Sequence, residues 1–127
     1  MSVKNTGVNL LDGGHKQQVI FERIMKMRKI ICGRLYDTDT AECVSEYSYS
    51  NPRDFKHYTE KLYRKRNGEF FLYGSGGPRS PYAEPLGNNS WIEGKNILAL
   101  DKDEAKDWVE EKGTVEEYIA LFGMPEE

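Results

Sequence analysis

The dipeptide Asn67-Gly68 constrains this 127-residue sequence more than any other feature. It separates two runs rich in β-forming residues, and it is strongly favoured in type I′ turns, which need positive φ at both central positions. We therefore predict a β-hairpin with strands at residues 58–66 and 69–73. The second strand is almost wholly aromatic or apolar, which predicts a central strand covered on both faces.

This second strand continues into a run of three glycines and a proline, GSGGP at residues 74–78. Glycine adopts backbone angles closed to other residues and proline interrupts regular structure, so we expect a shaped loop containing Gly74, Gly76 and Gly77. Its amides and Arg79 could hold a phosphate, but the P-loop lysine and hydroxyl residue are missing and no helix is expected to follow. We favour a structural turn, with anion binding left open.

The other segments complete a strand-rich half followed by helices. Residues 28–36 predict a tight hairpin, residues 41–50 and 95–100 predict strands, and residues 79–94 show no periodicity. Capping boxes, Asp101 with Glu104 and Thr114 with Glu117, predict two helices. Their predicted inward faces consist of Ala105, Trp108 and Val109 in the first helix and Val115, Tyr118, Ile119 and Phe122 in the second.

The N-terminal residues differ from the rest. Residues 1–14 predict a flexible arm, and Ile20, Ile24 and Met27 fall on one stripe of a short helix. We therefore divide the chain into an N-terminal arm with a short helix, residues 1–27, and a single domain, residues 28–127. The predicted fold class is α+β: an antiparallel sheet of about four to six strands, two C-terminal helices and the short N-terminal helix.

The composition narrows the functional classes. With 38% apolar and 31% charged residues, the sequence predicts one globular domain. No apolar run approaches the roughly 20 residues that span a bilayer, and no signal peptide is evident, so we expect a cytoplasmic protein without a membrane partner. Cys32 and Cys43 stand alone; we expect buried free thiols, a disulfide being the alternative. No zinc or calcium spacing is present, so we expect no metal and no cofactor.

Charge is distributed unevenly along the chain. The net charge is −3, yet residues 83–127 contain twelve acidic and four basic residues. Solvated acidic helices are the preferred interpretation, and an acidic surface that imitates DNA is the alternative.

A basic segment interleaved with aromatic residues gives the strongest indication of a partner. Cations neutralise phosphates and exposed rings stack on unpaired bases, which is the usual chemistry for binding single-stranded RNA. The alternative is that the cations protect a sheet edge and the rings belong to the core. The candidate nucleic-acid-binding or partner-binding residues are Arg53, Lys56, Lys61, Tyr63, Arg64, Lys65, Arg66 and Arg79.

The preferred interpretation of the sequence includes no catalytic residue. A positioned imidazole can move the proton of a ribose hydroxyl, so His57 with Lys61 or Arg64 forms the alternative of a ribonuclease. A surface histidine without a catalytic role is the preferred interpretation.

Three segments together resemble a known group of proteins. They are KIICGRLYDTDTA at residues 29–41, LYRK with GEFFLYGSGG within residues 62–77, and ILAL at residues 97–100. The chain from about residue 28 to 123 is similar to small proteins carried by phages and mobile elements of Gram-positive bacteria, which include inhibitors of type II-A CRISPR systems. These motifs define turns and strands, so they carry over no catalytic residue.

The resemblance implies an anti-CRISPR protein in the cytoplasm of a bacterial host. Its expected partners are the type II effector nuclease, the guide RNA of that nuclease, or both. We expect a non-enzymatic inhibitor, with an enzyme that cleaves guide RNA and an acidic DNA mimic in the nuclease's DNA channel as alternatives. The oligomeric state stays open, a dimer included.

Overall fold

The computed structural model describes residues 27–127, which form an α+β fold of eight strands and two helices. The strands are β1 (Arg28–Ile31), β2 (Arg34–Asp37), β3 (Glu42–Tyr49), β4 (Tyr58–Arg64), β5 (Phe70–Gly76), β6 (Glu84–Gly87), β7 (Ser90–Ile92) and β8 (Gly94–Leu100). The helices are α1 (Lys102–Lys112) and α2 (Val115–Phe122). The predicted fold class is confirmed, whereas the predicted N-terminal helix lies outside the described residues apart from Met27. Neither of the two helices described is long and apolar enough to cross a membrane.

A four-stranded antiparallel sheet in the order β3-β4-β5-β8 forms the centre of the fold. The strands β1 and β2 form one separate hairpin, and β6 and β7 form another. The predicted central position of β5 is confirmed, because it pairs with β4 on one side and β8 on the other.

The hairpin around Asn67-Gly68 is confirmed, but its turn is not of type I′. Only Gly68 has a positive φ, +92°, and its amide donates to the carbonyl of Lys65 at 3.0 Å. The side chain of Asn67 accepts from the amide of Glu69 at 3.0 Å. This is the geometry of a turn closed by a glycine in the left-handed region, which is the other common way to join two strands.

Two-residue turns with positive φ at both positions occur elsewhere. Cys32 and Gly33 join β1 to β2, and Asn88 and Asn89 join β6 to β7. The second hairpin falls within residues 79–94, where we expected irregular structure, so that expectation is wrong. Asparagine is one of the few residues that tolerates positive φ, which makes two in succession a turn signal.

One face of the central sheet packs against the two helices. Leu62, Phe70 and Leu72 meet Trp108 and Val109 in a buried cluster. Both predicted capping boxes are present, so the start of each helix is confirmed.

The predicted inward face of α2 is confirmed only in part. Tyr118 and Phe122 pack against the buried cluster. Val115 and Ile119 are exposed, whereas Leu121, outside the predicted face, packs against the cluster, so the contact face of α2 is rotated from the predicted one.

The opposite face of the sheet packs partly against the β1–β2 hairpin. Tyr36 of this hairpin meets Tyr63, Phe71 and Ile97 of the sheet. The ring of Phe71 is stacked on Tyr63 at 5.1 Å between centroids and meets Tyr36 edge-on at 5.5 Å. Such aromatic pairs add to the stabilisation from burial.

Glu60 is a charged side chain buried on the helix-facing side of the sheet. Its carboxylate accepts hydrogen bonds from Trp108 Nε1 at 2.9 Å, Lys112 Nζ at 2.8 Å and the Tyr82 hydroxyl at 2.6 Å. We call these four side chains the Glu60 network. Burial opposes ionisation of Glu60, but hydrogen bonds from the three partners outweigh it, so the pKa of Glu60 lies below its usual value.

The Glu60 network predicts a loss of stability in acid. A carboxylate whose pKa is lower in the folded state stabilises the fold at pH above its unfolded pKa, and the contribution disappears as the pH falls through the folded pKa. We expect the melting temperature to fall when the pH is lowered from about 6 to below about 4, and to fall less in Glu60→Gln. Thermal unfolding followed by circular dichroism measures both slopes; identical slopes would contradict the assignment.

The glycine run belongs largely to a strand. Gly74 and Gly76 lie in β5 and do not have positive φ, so the expectation of a shaped loop is wrong for them. A Cβ on Gly74 would overlap the ring of Tyr82, and one on Gly76 would overlap the side chain of Ser80. These glycines allow residues 77–83 to fold closely against the sheet.

Candidate nucleic-acid interface

A groove of about 680 Å³ opens on the sheet face that also carries Tyr63. Side chains alternate between the two faces of a strand, so Thr59, Lys61 and Tyr63 of β4 lie together on this face. The same alternation brings in Tyr73 and Ser75 of β5. We call this cavity the sheet groove; its lining also includes His57, Lys95, Glu46, Glu84 and Glu93.

The sheet groove contains both positive and negative side chains, and its lysines are not paired with its carboxylates. Lys61 lies opposite Glu46 on the neighbouring strand, and Lys95 lies opposite Ser75. Among the described residues, neither lysine forms an ion pair within 4.0 Å. Burial raises the pKa of Tyr73, so its hydroxyl stays neutral and can donate a hydrogen bond at physiological pH.

The sheet groove collects only some of the predicted site residues. Lys61, Tyr63 and the alternative catalytic residue His57 line it, but Tyr63 is only 9% exposed and its ring is stacked on Phe71, so it offers no free face for a base. Sequence reasoning missed Tyr73 and Lys95. The alternation of β5 and β8 was the available signal for both.

Three predicted cations and an exposed aromatic residue lie in two loops at one end of the sheet. Arg53 and Lys56 lie in the loop between β3 and β4, and Arg79 follows the glycine run; all three are exposed. Phe55, between the first two, is 64% exposed. We call Arg53, Phe55, Lys56 and Arg79 the loop cluster.

Hydrogen bonds hold the two loops of the loop cluster together. The amide of Arg79 donates to the carbonyl of Phe55 at 2.8 Å, and the amide of Gly77 donates to the carbonyl of His57 at 3.0 Å. Asp54 supports the first loop, since its carboxylate accepts from the Lys56 amide at 2.8 Å. The Gly77 and Arg79 amides are therefore engaged within the protein, which supports the structural interpretation of the glycine run over an anion cradle.

His57 combines a structural role with a place at the sheet groove. Its Nδ1 lies 2.6 Å from the carbonyl oxygen of Asp54. A carbonyl can only accept, so Nδ1 carries the proton and Nε2 of the neutral ring is free to accept one. Lys61 lines the same groove, whereas Arg64 lies on the opposite face of β4, so only the first of the two proposed partners of a catalytic His57 is placed near it.

The remaining predicted cations lie at the other end of β4. A seven-residue strand extends about 20 Å, so Arg64, Lys65 and Arg66 are well separated from the loop cluster. Arg64 pairs with Glu42 at 3.3 Å, while Lys65 pairs with Glu69 at 2.9 Å.

Lys65 has a second structural contact at this end of the strand. Its ammonium lies 3.8 Å from the centroid of the Tyr36 ring, a cation–π contact. Arg66 is exposed. Lys65 therefore serves the fold, and Arg66 is the member of this group that is best placed to meet a partner.

Two other features bear on the sequence expectations. Cys32 and Cys43 are free and exposed, so the predicted free thiols are confirmed but their predicted burial is wrong. Within residues 27–127, no group of three or more histidine, cysteine, aspartate or glutamate side chains is arranged to hold a metal ion.

Comparisons with known proteins indicate no function for this chain, so a functional proposal has to start from the geometry of the site. No family model, no curated protein and no solved structure matches this chain. The loop cluster and the sheet groove each bring charged and aromatic side chains together from separate parts of the sequence.

Proposed function

We propose that this chain is a non-enzymatic inhibitor of the RNA-guided nuclease of type II-A CRISPR systems, and that it engages the guide RNA through the loop cluster. The observation that carries the proposal is that two loops joined by hydrogen bonds present three exposed cations together with the exposed ring of Phe55. Cations neutralise backbone phosphates, and an exposed ring stacks on an unpaired base without sequence preference.

The rigidity of the loop cluster favours binding. Its two loops are joined by the backbone hydrogen bonds that Phe55 and His57 accept. Less conformational entropy is lost when a partner binds to loops that are already ordered. The nuclease enters the proposal through the resemblance of residues 28–123 to phage and mobile-element proteins that include such inhibitors.

The loop cluster is tested by removing its cations one at a time. We expect Arg53→Ala, Lys56→Ala and Arg79→Ala each to weaken binding of a single-stranded guide RNA and to lower the salt slope by about 0.7, as loss of one phosphate contact requires. Fluorescence anisotropy across a salt series measures this. Melting temperatures should barely change, because the side chains are exposed.

A matched control lies on the opposite side of the sheet from the sheet groove. Lys102 is exposed at the start of α1, so Lys102→Ala removes the same charge away from the loop cluster. This variant should keep the salt slope and the inhibition of DNA cleavage by the nuclease. An equal loss in all four variants would show that net charge, not the loop cluster, governs binding.

Two other outcomes would replace the proposal. Discrete cleavage of guide RNA by the pure protein, abolished in His57→Ala, would identify a ribonuclease. Inhibition that survives loss of the loop-cluster cations but disappears when Asp103, Glu110 and Glu111 are neutralised would identify a DNA mimic, because these exposed carboxylates of α1 would then substitute for DNA phosphates.

A further inference from the structure

The sheet groove contains three kinds of group that suit the parts of a ribonucleotide. Lys61 and Lys95 supply ammonium groups, and Thr59 and Ser75 supply hydroxyls between them. Three exposed carboxylates complete the lining, those of Glu46, Glu84 and Glu93.

The two lysines are available to a ligand, whereas the Thr59 hydroxyl already shares a hydrogen bond with Ser48 at 3.2 Å. Ion pairs within 4.0 Å are absent for both lysines among residues 27–127, although carboxylates line the same cavity. The groove volume, about 680 Å³, lies within the range of cavities that hold small organic molecules.

The sheet groove is continuous with the loop cluster. His57 lines the groove, follows Lys56 directly in sequence and accepts through its carbonyl the hydrogen bond from Gly77, two residues before Arg79. A strand with phosphates on the loop cluster can therefore extend along the sheet toward Thr59 and Lys61.

The carboxylates provide a chemical basis for distinguishing RNA from DNA. A ribose 2′-hydroxyl can donate to a carboxylate and accept from a serine or threonine hydroxyl, whereas deoxyribose offers neither bond. Without that hydroxyl, the carboxylates of Glu46, Glu84 and Glu93 only repel the nearby phosphates.

We propose that the sheet groove holds a ribose-phosphate unit of an RNA strand, with the lysines on phosphate and the carboxylates on ribose, and thereby makes the protein select RNA over DNA. This inference rests on the proposed function, because it concerns the path of the same RNA beyond the loop cluster.

The test compares RNA and DNA oligonucleotides of identical sequence. Loss of a hydrogen bond to a charged group reduces affinity roughly tenfold or more, so the wild-type protein should bind RNA at least that much more tightly than DNA. The Glu46→Ala/Glu84→Ala/Glu93→Ala variant removes both the acceptors and their charges, so it should reduce this ratio to near one.

The control neutralises three carboxylates outside the groove. Asp103→Ala/Glu110→Ala/Glu111→Ala changes the net charge equally, so it should strengthen binding of both strands and leave the RNA-to-DNA ratio unchanged. All six carboxylates are exposed, and thermal melting verifies that both variants fold.

Failure of this inference is distinguishable from failure of the proposed function. Equal binding of RNA and DNA by the wild-type protein would overturn ribose selection and leave guide-RNA binding intact. Binding of neither oligonucleotide would overturn the proposed function.

If neither oligonucleotide binds, a titration with mononucleotides tests the ribose site in the sheet groove independently of the loop cluster. Adenosine 5′-monophosphate should shift the NMR amide signals of Thr59, Tyr73 and Ser75 more than 2′-deoxyadenosine 5′-monophosphate does. Shifts of equal size, or none with either nucleotide, would overturn the ribose site.

Discussion

Replacing Glu60 with alanine is expected to lower the free energy of unfolding by about 3 kcal/mol and the melting temperature by about 15 °C. The substitution leaves the Trp108 indole and the Tyr82 hydroxyl buried without their acceptor, and each such group costs about 1–3 kcal/mol. Lys112 keeps 20% of its side chain exposed and can turn to water, which limits the loss. Urea and thermal unfolding measure the change.

Glu42 provides the control for Glu60. Its carboxylate lies one strand away and pairs with Arg64 at 3.3 Å, but 69% of its side chain is exposed. Glu42→Ala should cost less than about 1 kcal/mol, because exposed ion pairs contribute little. A loss in Glu60→Ala no larger than that in Glu42→Ala would show that the Glu60 network does not hold α1 to the sheet.

Local signals predicted much of the fold. The capping boxes at Asp101 and Thr114 and the hairpin around Gly68 depend on residues within a few positions of one another, so the sequence contains their whole cause. The type of the Asn67-Gly68 turn was less predictable. Its geometry depends on how Lys65 and Glu69 continue the strands as well as on the dipeptide.

Features that depend on distant residues were not predictable from local patterns. Gly74 needs its missing side chain because Tyr82 lies across it, and Tyr82 lies there because Glu60 binds its hydroxyl. In the same way, the apolar residues Val115 and Ile119 fit a helical stripe, but only the packing of the whole helix decides which part of that stripe is buried.

The candidate site likewise combines residues that the local sequence identified with residues that only the fold brings together. Sequence reasoning selected Lys61 and Arg79 from their type and neighbourhood. It could not place Arg79 beside Phe55, because backbone hydrogen bonds between two loops that are distant in sequence do so. Lys95 is on the last strand of the sheet and joins the groove only through the pairing of β5 with β8.

Gly74→Ala is expected to lower the free energy of unfolding by at least about 3 kcal/mol, although it adds only a methyl group. The new Cβ would overlap the Tyr82 ring, which is itself only 9% exposed. Tyr82 must then move away and withdraw its hydroxyl from Glu60, so overpacking and the loss of a buried hydrogen bond add together. Chemical unfolding of the variant measures the loss.

A double-mutant cycle with Tyr82→Ala separates this cause from any general intolerance of side chains in β5. Removing the ring vacates the space that the new Cβ of Gly74→Ala would enter. The second substitution should therefore cost well under 1 kcal/mol in the Tyr82→Ala background, giving a coupling of roughly 2 kcal/mol or more. Additive losses would show that contact with Tyr82 is not the reason why position 74 requires glycine. Alanine has a higher strand preference than glycine, so no backbone term would then account for the loss, and the contact would have to lie elsewhere along residues 77–83.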